Sequence, residues 1–226
     1  MATFGLVHGV CAGAWTWDRV RPFLEDAGHR VVAIDLPCDD PEAKFSDYAT
    51  VVEAALADAD DDVVLVGHST GGQTIPLVAA RRAVRELVYL CGTVPEPGAS
   101  VIERGVEWRA VDPAEWAVQN GDGSFSITPD GFRRHVAPEL DAEAAEESIA
   151  LLRPQYLTPF AERCPLEALP RVPSRYVLCR DDRLVSPDYG RRVAHERLGV
   201  EAIELSGSHS PMAWQPDVLA ELLLSP

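Results

Sequence analysis

The sequence predicts a layered α/β domain built on a mostly parallel sheet of about six strands flanked by helices. Three observations predict it. Six short apolar runs recur along the chain with helical segments between them. The runs are continuous rather than alternating, as strands buried on both faces of a parallel sheet require. The chain has 226 residues, 46% hydrophobic and 25% charged, which is one domain with enough apolar side chains for a sizeable core.

In order, the expected strands are Phe4 to Val7, Val31 to Ile34, Val63 to Val66, Leu87 to Leu90, Tyr176 to Cys179 and Ala202 to Leu205. Helix starts carry their own punctuation. Ser186-Pro187 and Ser210-Pro211 each place an N-cap residue before a proline at the first helical position, just after a strand-end loop. Between the fourth and fifth runs the pattern changes, and ten of the 18 prolines fall within residues 95–173. A parallel crossover needs neither that length nor that much proline, so this segment reads as a helical cap inserted into a core made of residues 1–94 and 174–226. Asp112, Thr128 and Asp141 mark helix starts inside it. It also carries Trp108, Trp116, Phe125, Phe132, Tyr156 and Phe160, aromatics that suit either the packing of a small helical layer or the wall of an apolar pocket.

Charge and cysteine content exclude several classes of partner. With 20 Lys and Arg against 36 Asp and Glu the net charge is −16, which repels phosphate backbones and anionic headgroups, so neither nucleic acid nor a membrane is expected. No stretch approaches a membrane span and no basic leader opens the chain, which makes a cytoplasmic address the expectation. Cys11, Cys38, Cys91, Cys164 and Cys179 are odd in number and widely spaced, and read as buried small hydrophobes rather than disulfides or metal ligands. A homodimer stays open.

The chemistry is concentrated at strand ends. Gly67-His68-Ser69-Thr70-Gly71 lies between the third run and a helical stretch, the G-x-S-x-G pattern of a serine on a tight strand-to-helix turn. There the helix N-terminus and its backbone N–H groups favour developing negative charge. A serine needs a base, and the base needs an orienting acid. His209 follows the last strand, whereas His29, His135 and His195 lack such a placement and His68 reads as structural. The fifth run leads into Asp181-Asp182, either of which could be the acid. The first strand ends in His8-Gly9-Val10, a turn that can aim the Val10 N–H at the same point as the Thr70 N–H.

The stretches Leu6 to Trp17, Leu24 to His29 and Ala33 to Pro37, with the serine turn and the histidine loop, resemble the α/β-hydrolase superfamily. The similarity is to its branch of plant methylesterases, salicylate-binding esterases and hydroxynitrile lyases, with bacterial relatives. The resemblance implies the α/β-hydrolase fold and no cofactor or metal. It also implies Ser69 as nucleophile, His209 as base, Asp182 rather than Asp181 as acid, and Val10 and Thr70 as oxyanion amides. A small-molecule neutral ester is the expected substrate, in a pocket near Gly9, Trp108, Trp116, Phe125 and Tyr156. The alternatives on the same triad are a hydroxynitrile lyase and a lactone or thioester hydrolase. Lyases of the branch carry threonine at the position of Gly9 and lysine at that of Ser210, which favours the esterase.

Overall fold

The computed structural model describes residues 1–105 and 107–225. Four strands come first: β1 (Thr3–Val7), β2 (Arg30–Ile34), β3 (Val63–His68) and β4 (Glu86–Leu90). The insertion holds β5 (Ala117–Gln119), β6 (Ser124–Ile127) and β7 (Gln155–Tyr156), and the chain returns as β8 (Ser174–Cys179) and β9 (Ile203–Leu205). The main sheet has the order β2-β1-β3-β4-β8-β9 with every pairing parallel. All six strands therefore end at one edge, where the functional loops gather.

The strand period of two divides the central strand β3 between two cores. Val63 and Leu65 pack under helices α1 (Phe45–Ala55) and α2 (Gly71–Ala79). Val64 and Val66 pack on the opposite face with Trp17, Leu24 and the helix Pro216–Leu224. Each of these four side chains is fully buried, worth roughly 1.5–3 kcal/mol apiece relative to exposure. The central strands carry no alternation because neither face meets water.

The insertion departs from the helical reading. Asp112, Thr128 and Asp141 do cap helix starts, accepting from Ala114, Gly131 and Ala144 N–H at 2.9, 3.0 and 2.9 Å. Between the first two, however, the chain forms the β5–β6 hairpin, and β7 adds a third antiparallel strand. The turn Asn120-Gly121-Asp122-Gly123 carries two successive hairpin dipeptides and puts Gly123 at φ +89°, the local signal that announces this sheet. Trp116, Phe125, Phe132 and Phe160 form a third core with Cys11 and Leu184 from the main domain. Ser186 and Ser210 precede prolines as expected, but neither hydroxyl caps its helix. Four cysteines are buried while Cys164 is half-buried. Among the described residues no helix is long and apolar enough to cross a membrane.

Candidate active site

Ser69 sits where β3 turns into α2, at φ +53°, a left-handed conformation that costs a residue with a side chain about 1–3 kcal/mol. Neighbouring glycines make the turn sterically feasible. A Cβ at Gly67 would stand 2.8 Å from the Gly71 carbonyl oxygen, and one at Gly71 2.7 Å from that of Val7. The Ser69 N–H donates to the Leu90 carbonyl at 3.0 Å, and its own carbonyl accepts from Thr93 at 2.9 Å and Gly72 at 3.2 Å. These bonds over-determine the strained residue. Among the described residues, the N–H groups of Thr70 and Val10 have no acceptor and stay available.

His8 holds the loop that carries Val10. Its Nε2 accepts from Leu36 N–H at 2.9 Å, so its proton is on Nδ1, which donates to the Gly9 carbonyl at 2.7 Å. Burial pushes its pKa down to about 4, keeping the ring neutral and the tautomer fixed.

The structure brings His209 and Asp182 together from the loops after β9 and β8. His209 Nδ1 lies 2.7 Å from Asp182 Oδ2, with both side chains almost fully buried. The other carboxylate oxygen accepts from Leu184 N–H at 2.8 Å and Val185 N–H at 3.0 Å. A carboxylate only accepts, so His209 carries its proton on Nδ1 and leaves Nε2 bare. Asp181 points elsewhere, its carboxylate accepting from Gly207 N–H at 3.1 Å. His68, read as structural from the sequence, supports this loop: its Nε2–H donates to the His209 carbonyl at 2.9 Å, and the two rings are 4.6 Å apart. Burial, and secondarily His209 itself, hold the His68 pKa well below the usual imidazole range. The Cys91 sulfur lies within 4.8 Å of ligand atoms of Asp182 and His209. Burial drives that thiol's pKa well up, which keeps it neutral beside the carboxylate.

Two cavities meet at Ser69. The smaller, about 80 Å³, is bounded by Gly9, Val10, Trp15, His68, His209 and Ser210. The larger, about 630 Å³, opens over Val10 and Thr70 and is walled by Trp108, Trp116, Phe125 and Phe160. Of the residues expected near a single pocket, Trp108, Trp116 and Phe125 line the large cavity and Gly9 the small one. Tyr156 lines neither, which corrects that expectation. In β7 successive side chains face opposite ways, so Gln155 is the buried one, and the Tyr156 hydroxyl turns out to donate to Asp122 at 3.2 Å. Phe160, four residues on, takes the place expected of it.

Comparison with known proteins agrees with this architecture. A model of the alpha/beta hydrolase family matches residues 6–222. The chain belongs to that family. Among curated relatives, the alpha/beta hydrolase is 30% identical to salicylic acid-binding protein 2 of Nicotiana tabacum, covering 98% of this chain and 95% of the relative. It is 27% identical to methylesterase 2 of Arabidopsis thaliana, over 98% and 94% of the two chains. The solved structure of polyneuridine aldehyde esterase superposes with a TM-score of 0.82 at 25% identity, over 99% and 98% of the two chains. Similarity to tomato methylketone synthase I, with a TM-score of 0.81 at 22% identity over 99% and 95%, is a likeness of fold.

Proposed function

We propose that this alpha/beta hydrolase is a cofactor-free serine esterase that cleaves neutral carboxylic esters through an acyl-enzyme. Ser69 Oγ attacks the ester carbonyl carbon as its proton passes to His209 Nε2, and the resulting oxyanion is received by the Val10 and Thr70 N–H groups. As the tetrahedral adduct collapses, the ester C–O bond breaks and His209 returns the proton to the departing alcohol. Water then attacks the acyl carbon, giving its proton to His209, and the second adduct releases the acid and restores the serine hydroxyl. Asp182 holds the imidazole in the tautomer this requires and stabilises its charged form. The esterase relatives agree with this reading.

The observation that carries it is the placement of His209 relative to the two cavities. A general acid must reach the leaving oxygen, and His209 borders the small cavity but not the large one. The alcohol therefore occupies the cavity of about 80 Å³ and the acyl group the one of about 630 Å³. A single water needs roughly 10–15 Å³ by the same measure, so the alcohol side takes only a few heavy atoms. Short-alcohol esters of bulky apolar or aromatic acids fit best. The net charge of −16 disfavours polyanionic substrates.

Turnover of methyl, ethyl and hexyl esters of one aromatic acid, by wild type and Ser69→Ala, tests the proposal. Methyl and ethyl esters should turn over, the hexyl ester should be at least tenfold poorer, and Ser69→Ala should be inactive. Turnover by Ser69→Ala above about a hundredth of wild type sinks the serine assignment. Mandelonitrile cleavage matching ester hydrolysis would make the lyase the primary activity. Against that outcome, Ser210 stands where lyases of the branch carry a lysine, and Arg19, a cation lining the same cavity, donates to the Ala213 carbonyl.

A further inference from the structure

The loop bearing Val10 is held from the insertion by one side chain that touches neither cavity. We infer that Arg153 is a positioning residue for the oxyanion site. Its backbone N–H donates to the Cys11 carbonyl at 2.9 Å. Its guanidinium donates twice to the Ala12 carbonyl, from Nε at 3.1 Å and from Nη2 at 2.9 Å, and Nη2 also reaches the Leu36 carbonyl at 3.0 Å. Asp35 and Asp39, at 3.6 and 3.7 Å, balance its charge, and Asp35 also accepts the Ala14 N–H at 2.8 Å.

This loop needs bracing. Cys11 stands at φ +57°, a left-handed conformation that a residue with a side chain adopts only when its surroundings enforce it. Two consecutive carbonyls, those of Cys11 and Ala12, turn toward Arg153. On the other side of Val10 the Gly9 carbonyl is held by His8 at 2.7 Å. The Val10 N–H shares one planar peptide unit with that Gly9 carbonyl, so His8 sets its direction, and Arg153, holding the Cys11 and Ala12 carbonyls further along the loop, fixes where that unit stands against Ser69. A planar guanidinium fork can serve Ala12 and Leu36 together, and a lysine ammonium on its flexible stem reproduces that poorly. Arg153 lies among the lining residues of neither cavity, so it acts through the loop and not on the substrate. The insertion is then part of the catalytic frame as well as a wall of the acyl pocket.

The inference rests on the reading of Val10 as an oxyanion donor, and its test separates the two. Arg153→Met, Arg153→Lys and Ser69→Ala are compared with wild type for kcat and KM on the methyl ester of an aromatic acid. Binding of a trifluoromethyl ketone, which becomes an oxyanion on addition of the serine, is measured alongside melting temperature. Misplacing a reacting group by about 1 Å can cost up to ~100-fold. Arg153→Met is accordingly expected to lose ~10–100-fold in kcat with KM within threefold, and the ketone should weaken by a similar factor. Arg153→Lys should recover only part of the loss, and because it keeps the charge it carries the test if the methionine variant does not fold. Arg153→Met retaining kcat within threefold, or Arg153→Lys indistinguishable from wild type, overturns the inference, as does a loss of kcat with ketone affinity unchanged. Turnover by Ser69→Ala removes the serine reading itself, whatever the Arg153 variants do.

Discussion

A single methyl group at Gly9 should disable the enzyme. The Cβ of Gly9→Ala would stand 2.7 Å from Ser69 Cβ and 3.3 Å from both Ser69 Oγ and His68 Nδ1. Carbon atoms in contact prefer about 3.5–4.0 Å, so the overlap with Ser69 Cβ is close to 1 Å. Both carbons are attached directly to the backbone, and no side-chain rotation relieves the clash. Either the loop carrying Val10 or the Ser69 turn must move. Overpacking of this kind costs roughly 1–3 kcal/mol of stability. Displacing an oxyanion donor costs ~10²–10³ in rate. We therefore expect kcat/KM to fall by about two to three orders of magnitude, with a loss of stability in that range. Gly121→Ala is the control, since a Cβ there meets nothing within 4 Å. Initial rates on the methyl ester of an aromatic acid and urea unfolding read both quantities. A Gly9→Ala enzyme within threefold of wild type, with unchanged stability, would refute the steric argument and with it the placement of the donor loop against Ser69.

Asp182→Asn should lower kcat on the order of 10⁴-fold, as loss of the correct imidazole tautomer does in comparable triads. Asp181→Asn, acting only on a Gly207 contact, should be mild, and the reverse ranking in steady-state rates would contradict the site. Alanine at Trp116 or Phe125 should change the rate ratio between short and bulky acyl esters, whereas Tyr156→Phe should leave it within twofold. Acid should destabilise the fold through His8, whose pKa lies near 4 when folded and about 6.5 when unfolded. Below pH 6.5 the unfolded chain takes up a proton that the native state refuses. The stability present above that pH is thus lost progressively as pH falls toward 4, by an amount on the order of 3 kcal/mol. Urea midpoints between pH 7 and 4 should show this slope, and His8→Gln should reduce it, leaving the part that His68, also held below the usual imidazole range by burial, contributes.

The main sheet and the serine turn were legible in the chain because both are written locally. A strand buried on both faces is a run of apolar residues, and the runs from Phe4, Val31, Val63, Leu87 and Tyr176 begin within two residues of the observed strands. The G-x-S-x-G spacing states its own sterics, with Ser69 at φ +53° and backbone packed against its glycines. The β5–β6 hairpin was announced just as locally by Asn120-Gly121-Asp122-Gly123, but its three- and four-residue strands are too short for a hydrophobic period to stand out.

What the chain by itself determined, then, is the layered fold, the strained serine, and the strand ends from which Val10, Ser69, Asp182 and His209 extend. Only the tertiary structure decided which side chains meet. Asp181 and Asp182 are chemically identical neighbours, and packing alone turns the second toward a histidine 27 residues away. Tyr156 and Phe160 are equally plausible aromatics until β7 leaves the first outside the cavity and the helical turn Thr158–Ala161 brings the second to its wall. Arg153 reaches a carbonyl 141 residues away. Backbone conformation and burial period are set by a few consecutive residues, whereas contacts across such separations exist only once the whole core has packed.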